Sequence, residues 1–280
     1  MFLNLKKALK FARKNKFAIP AFNVFDLEGV KAVCSAASEL NSPVIIQTTP
    51  KAVEYAGLEQ LFDIIKNEIY EKDIKAAIHL DHAKDFSIVK DCINVGYNSV
   101  MIDGSALDFE SNIAICRKVV RFALEYGVNV EGEIGAIGSE SEESDRSEIK
   151  LTDLKLVQEF VNKTNIDAVA VSVGNKHGAP KGEKLNFELL EKISSLVEIP
   201  IVMHGSSGLS HFDIKSAIGL GVTKFNIDTN LRLAFMQEIL SAKKDSKDPR
   251  AILSEAMEAM SEIVKSYIKL LGSDGRADEI

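Results

Sequence analysis

Tryptophan is absent from this 280-residue chain, and cysteine is scarce. The three cysteines, Cys34, Cys92 and Cys116, lie far apart and follow no ligand spacing. That excludes a disulfide-stapled scaffold and a cysteine-built zinc site; the thiols read as reduced, buried small residues of a cytoplasmic protein. No apolar run approaches the roughly 18 residues of a membrane span, which excludes the membrane as a partner. The N-terminal string MFLNLKKALKFARKNKF threads Lys and Arg through its apolar residues and lacks a small-residue cleavage site. It reads as a short amphipathic helix and not as an export signal. A basic surplus is missing too: 34 Lys and Arg face 41 Asp and Glu, a formal net charge of −7. That balance excludes nucleic acid as a general partner. It also means that an anionic substrate must be caught by local devices such as backbone N–H nests, helix N-termini or a metal. There is no linker, no repeat and no low-complexity tract.

What is present is an alternation. Short β-branched runs at Phe17–Val24, Val44–Thr49, Ala76–His82, Ser99–Asp103, Val128–Gly135, Ala168–Val173, Ile199–His204 and Val222–Ile227 are separated by helical stretches such as Leu27–Leu40, Leu58–Tyr70 and Phe109–Tyr126. Strand–helix alternation predicts parallel strands with right-handed crossovers. Eight such units in a chain of this length predict a (β/α)8 TIM barrel, which needs roughly 250 residues. An open doubly wound sheet is disfavoured, because no Gly-x-Gly-x-x-Gly turn follows an early strand. We therefore read residues 1–280 as a single barrel domain, with the N-terminal helix covering its floor. Additional C-terminal helices are expected at about Leu231–Lys243 and Ala251–Leu271, separated at Asp248-Pro249 because Pro resists a helix interior. Gly135–Lys150 is a long acidic loop, GAIGSESEESDRSEIK, expected to form a lid.

The unusual polar residues fall together on this map. Asp81 and His82 end the third strand, Asp103 the fourth, Glu131 and Glu133 the fifth. Asn175 and His177 follow the sixth, His204 ends the seventh, and Asn226 and Asp228 end the eighth. Barrel enzymes build their sites on that C-terminal rim. Three of only five histidines, His82, His177 and His204, are on it. Three imidazoles with a fourth position open form a catalytic zinc geometry, and imidazole suits zinc, cobalt or iron better than magnesium. The bland alternative is three unrelated loop histidines. His79, inside a strand, reads as a packed core residue, and His211 as a helix-start residue. Gly178 follows His177, and Gly205-Ser206-Ser207-Gly208 follows His204. Glycines there let backbone N–H groups approach a phosphate, which barrels often bind after strands seven and eight. Each such turn, taken alone, is also an ordinary connection.

The strings LDHAKD (80–85), VMIDGS (100–105), EGEIG (131–135), SVGNKHG (172–178), VMHGSSGL (202–209) and FNIDTNLRLAF (225–235) resemble, in order and over almost the whole chain, the class II metal-dependent ketose-bisphosphate aldolases. The tail strings DPRAIL and LGSDGRA do as well. The resemblance implies a zinc-dependent enzyme that reversibly cleaves fructose 1,6-bisphosphate to dihydroxyacetone phosphate and glyceraldehyde 3-phosphate. It makes His82, His177 and His204 the zinc ligands and Asp81 the acid/base at the aldehyde oxygen. Asp103 and Glu133 match a second or alternative divalent-metal position. Gly178, Gly205, Ser206, Ser207, Asn226, Ile227, Asp228 and Thr229 fall at the dihydroxyacetone phosphate contacts, and Asn226 also serves the enediolate. Val173, Gly178, Gly205 and Ser207 match a monovalent-cation position. Arg250 matches the arginine for the far phosphate, often reaching a neighbouring subunit, and Thr49 also touches substrate. The family resemblance further implies a cytoplasmic homodimer or homotetramer acting on small sugar phosphates.

One departure concerns the loop base. The family's Gly-Gly-x-Glu aligns with Gly138-Ser139-Glu140-Ser141 here, so Ser141 stands where the glutamate is expected. Glu142 then becomes the base, with Glu140 as the alternative, a shift of at most about 3.6 Å along an extended chain. Asn-x-Asp-Thr leans toward fructose-type members, since tagatose-type members often carry Ala at the position of Asp228; tagatose 1,6-bisphosphate is the second substrate reading. A rival chemistry is an imine on Lys176, just after the sixth strand. A metal-bound sugar-phosphate sensor is the rival without catalysis, and it gives Asp81 nothing to do.

Overall fold

The computed structural model of the chain describes residues 2–139, 150–178, 184–242 and 247–280. Helix α1 (Leu5–Asn15) comes first, capped by Asn4. Then follow β1 (Ile19–Asn23), α2 (Leu27–Glu39), β2 (Val44–Thr48), α3 (Pro50–Ala56), α4 (Leu58–Glu71), β3 (Ala76–Ala83), α5 (Phe86–Val95) and β4 (Ser99–Ile102). The second half runs α6 (Phe109–Tyr126), β5 (Asn129–Ile134), β6 (Gly138–Ser139), α7 (Leu154–Thr164), β7 (Ala168–Val171), β8 (Lys176–His177), α8 (Phe187–Leu196) and β9 (Ile201–Met203). It ends with α9 (His211–Gly219), β10 (Val222–Ile227), α10 (Thr229–Ser241) and α11 (Pro249–Leu271).

Eight strands close into a barrel in the order β1-β2-β3-β4-β5-β7-β9-β10, and the ring closes where β10 pairs with β1. Every pairing is parallel. The eight expected strands are all there: β2, β4, β5 and β7 are a residue or two shorter than read, β1 and β9 are three shorter, β3 is one longer and β10 is as read. The two-residue strands β6 and β8 pair with each other above the barrel mouth, Ser139 opposite His177.

Side chains alternate between two apolar layers. Phe22, Ile46, Ile78, Val100, Val130 and Val169 point out to the helices. Ile19, Ala21, Ile45, Ala77, Ala168, Ala170 and Val202 point in, where Leu5, Leu9 and Ala12 of α1 pack against them. The N-terminal helix thus plugs the barrel floor, as its amphipathic pattern predicts. Fully burying each such leucine contributes about 1.5–3 kcal/mol. Arg13 pins the plug by donating to the carbonyls of Ser194, Val197 and Ile199. At the other end of the chain, Pro249 starts α11 with Asp248 as its cap. Its Met260 lies against Gly29 of α2.

Above the apolar floor the interior turns polar. His79, Glu131 and Lys224 are fully or almost fully buried between the floor and the mouth. Glu131 is therefore not a rim residue: it sits in the middle of β5, one layer below Glu133. Two residues along a strand return to the same face, so both glutamates point inward at different depths.

Candidate active site

A cavity of about 420 Å³ opens at the C-terminal mouth of the barrel. Asn23, Thr49, Asp81, His82, Asp103, Glu133, His177, Gly178, Gly205, Ser207, Asn226, Asp228 and Thr229 are among the residues that line it. Eleven of these were singled out in the sequence for metal, acid/base or phosphate roles; Thr49 was given as a substrate contact, and Asn23 was not anticipated. Ser206 is buried with its hydroxyl on the Met203 carbonyl, and Ile227 is buried; neither lines the cavity.

Asp81 and His82 are consecutive, and strand alternation would send them to opposite faces. The β3–β4 register explains why both enter the cavity. Leu80 pairs with Val100 but Ala83 with Ile102, so β3 carries an extra residue there. This bulge puts His82 in the left-handed region, at φ 53°, an uncommon conformation for a side chain without special need. His177 comes from β8, and His204 follows β9.

The three histidines converge. Their ligand-capable nitrogens all lie within 4.8 Å of one another. Ring centroids are 4.6 Å apart for His82 and His204, and 5.0 Å for His82 and His177. His82 Nε2 and His204 Nδ1 make no aligned hydrogen bond among the described residues; they stand 3.9 Å from Asp81 and 3.4 Å from Glu133. Buried nitrogens facing each other and carboxylates suit a divalent cation, and the donor set, three imidazoles, fits zinc. His82 also groups with Asp103 and Glu133 in a second possible ligand set, where the Ser105 hydroxyl bridges the two carboxylates at 2.6 and 2.9 Å.

Asp81 is held by three amides. Its Oδ2 accepts from Asn23 Nδ2 at 3.0 Å and Gln47 Nε2 at 3.2 Å, and its Oδ1 accepts from Asn226 Nδ2 at 3.0 Å. Burial pushes the Asp81 pKa up, but His82, His204, Lys224 and His79 outweigh it and hold the carboxyl at about 2. Burial likewise works against a charged His82, yet Asp81 and Asp103 lift it to about 10. His177 goes the other way, to about 3, through burial and the two neighbouring imidazoles. The site is thus a cation-attracting ring of carboxylates with one histidine ready to be neutral.

The phosphate-type elements meet on the opposite wall. Gly205 has φ 64°, and a Cβ there would lie 2.0 Å from the Lys176 carbonyl oxygen, so only glycine lets this loop pack under β8. Helix α10 opens at Thr229 with no side-chain cap, which leaves its positive end to the cavity. Asp228 beside it is paired with Arg232, at 3.0 Å from Nε and 2.8 Å from an Nη.

The whole-chain comparison decides the family. The description "Fructose-bisphosphate aldolase class-II" matches residues 3–276. The chain belongs to the class II fructose-bisphosphate aldolase family. Fructose-bisphosphate aldolase of Staphylococcus aureus (strain Mu50) is 37% identical, over 98% of this chain and 99% of the relative. Among solved structures, the YdjI aldolase of Escherichia coli K12 is 32% identical with a TM-score of 0.88, covering 99% of this chain and 100% of that one. A putative fructose-1,6-bisphosphate aldolase from Coccidioides immitis is 28% identical with a TM-score of 0.91, over 98% of each chain. The chain is accordingly a metal-dependent aldehyde-lyase on a TIM barrel.

Arg250 lies on α11 outside the cavity, with its side chain 87% exposed and bound to Asp248. Lys176 is not among the cavity-lining residues, whereas Lys51, Lys84 and Arg232 are. Val173 is buried. Glu140 and Glu142, the candidate bases, lie outside the described residues. Asn23, Gln47 and Arg232 escaped the sequence reading. Gln47 is two residues before Thr49, and Arg232 one helical turn after Asp228, so face periodicity was the available signal for both. Cys34, Cys92 and Cys116 are buried and free, and no described helix is long and apolar enough to cross a membrane.

Proposed function

We propose that the enzyme cleaves fructose 1,6-bisphosphate reversibly to dihydroxyacetone phosphate and glyceraldehyde 3-phosphate with zinc at His82, His177 and His204. The convergence of the three imidazoles beside Asp81, in a cavity walled by phosphate-type loops, carries this reading. When bound there, zinc supplies the Lewis acidity that stabilises negative charge on the ketose oxygens.

The chain's own groups do the rest. Gly178, Gly205 and Ser207, with the N-terminus of α10 at Thr229, hold the phosphate of the ketose half. Asp81 accepts the C4 hydroxyl proton as the C3–C4 bond breaks, and the aldehyde leaves. The bond's electron pair stays on the ketose fragment, which a carboxyl group then protonates at C3; Glu142 or Glu140 supplies it. In synthesis Asp81 returns its proton to the aldehyde oxygen. The amide of Asn226 carries a second N–H besides the one on Asp81, and that N–H serves the enediolate oxygen. Arg232, Lys51 and Lys84 line the cavity and serve the far phosphate, whereas Arg250 does not line the cavity of its own chain.

A second divalent position at Asp103 and Glu133 and a monovalent cation beside Val173, Gly178, Gly205 and Ser207 belong to the same reading. So does a homodimer or homotetramer: α10 leaves Leu233, Met236 and Leu240 exposed. Buried free thiols suit a cytoplasmic enzyme. The test is triose phosphate release from fructose and tagatose 1,6-bisphosphate. Faster release from the fructose epimer, abolished by a chelator and restored by zinc, is expected; a preference for tagatose reverses the substrate assignment.

A further inference from the structure

Beneath the metal-type cluster lies a buried ion pair to which neither the acid/base chemistry nor phosphate binding assigns a role. Lys224 Nζ on β10 donates to Glu131 Oε2 on β5 at 2.9 Å, and both side chains are essentially inaccessible. A buried ion pair is an expensive way to fill a barrel, since apolar residues of similar volume often serve stability as well or better. The other oxygen of the same carboxylate shows what the pair does. Glu131 Oε1 is 2.9 Å from His204 Nε2.

The donor and acceptor chemistry runs in one direction from here. A lysine ammonium has donors only, so the Glu131 oxygen facing it must accept. An ionised carboxylate accepts at both oxygens, so His204 Nε2 must carry the proton. The other nitrogen, Nδ1, is then the one left to offer a lone pair; it stands 3.4 Å from Glu133 Oε2, and His204 groups with His82 and His177 in the possible ligand set. The imidazole is fully buried, and Asn175 Nδ2 holds the His204 backbone carbonyl at 2.9 Å. His79 backs the carboxylate from the far side, with Nε2 at 3.8 Å and Nδ1 tied to Ser99 Oγ at 2.8 Å. Lys224 also offsets the Glu131 charge, so this carboxylate does not add an uncompensated charge beneath Asp81, Asp103 and Glu133.

We propose that Glu131 and Lys224 are positioning residues that lock His204 as the Nε2–H tautomer with Nδ1 presented to the metal. This rests on the reading of His204 as a ligand. It differs from a purely structural role for the pair, which would set barrel stability but leave the imidazole's proton and the metal affinity alone.

The experiment measures zinc affinity by competition with a chromophoric chelator for the parent, Glu131→Gln and Lys224→Met. Folding is followed by circular dichroism, and the His204 ring by 15N-labelled histidine NMR of the zinc-loaded protein. Loss of the outer hydrogen-bond partner of a ligating histidine typically costs 10–100-fold in metal affinity, and a loss of about that size is expected in both folded variants. The parent should show a protected proton on His204 Nε2. Folded variants that bind zinc at the parent's affinity overturn the inference and leave the metal reading standing. A parent that binds no zinc overturns both. Should neither variant fold, the parent spectrum decides: a proton on Nδ1 of His204 contradicts the proposal, and one on Nε2 supports it.

Discussion

Asp81 and His82 are neighbours in sequence and neighbours in the cavity, and the second fact requires the β3 bulge that puts His82 at φ 53°. One extra residue in one strand brings an acid/base candidate and a metal-ligand candidate to the same face. The left-handed conformation costs on the order of 1–3 kcal/mol at a residue other than glycine, and asparagine tolerates it better than most. His82→Asn is expected to lose zinc binding while unfolding in urea at the parent's midpoint or above it. A marked drop in the metal-free protein's midpoint would show that the histidine ring, and not the function, maintains the bulge.

Asp81 adjoins the cluster without being forced into it. Its two oxygens are taken by Asn23, Gln47 and Asn226. Asp81→Asn should therefore retain zinc yet lose cleavage by roughly 10²–10⁴-fold, the usual range for removal of a general acid/base. It should still exchange a proton of dihydroxyacetone phosphate with solvent, because that half-reaction involves no aldehyde. Loss of exchange together with cleavage would assign Asp81 to the ketose half.

Gly205 tests the phosphate wall. A methyl group there meets the Lys176 carbonyl at 2.0 Å, and the backbone is at φ 64°. Gly205→Ala is expected to destabilise the protein by about 2–4 kcal/mol, in the upper part of the range for single substitutions. It should also displace His177, the next residue after Lys176, and weaken both zinc and dihydroxyacetone phosphate in binding titrations. A variant with parental stability and affinities would mean that the loop can open without consequence.

Arg232 and Arg250 compete for the far phosphate. Arg232 lines the cavity and is braced by Asp228, whereas Arg250 is exposed and bound to Asp248. Arg232→Ala should raise KM for the bisphosphate more than for a ketose 1-phosphate, by the loss of a charge-assisted contact. Arg250→Ala should do so less. The reverse order would place Arg250 in the cavity of a neighbouring subunit.

Much of this architecture was legible in the sequence because closed parallel barrels write a plain signature. Their strands are covered on both faces, so Val44-Ile45-Ile46 and Ala168–Val171 read as continuous short apolar runs. The same property blurs their ends: nothing in Val171-Ser172-Val173 marks where pairing stops. The rim residues stood out because a histidine, aspartate or asparagine at the end of such a run is exceptional. Glu131 was misplaced for the opposite reason. Its string, Glu131-Gly132-Glu133, holds two acids of the same parity, and only the position of the strand along the barrel axis decides which is at the rim. Lys224-Phe225-Asn226 and His79-Leu80-Asp81 repeat that spacing. Three strands thus carry a rim residue and, two positions earlier, a buried partner, a pattern that could have revealed the polar layer. The bulge at His82 left no such trace, since no glycine announces it.

The most direct test is a zinc titration of the metal-free chain followed by triose phosphate release from fructose 1,6-bisphosphate. The account predicts no turnover before zinc is added, turnover rising with zinc bound at His82, His177 and His204, and no recovery in His177→Ala at any zinc concentration. Full turnover by the metal-free chain, or by His177→Ala, would contradict it.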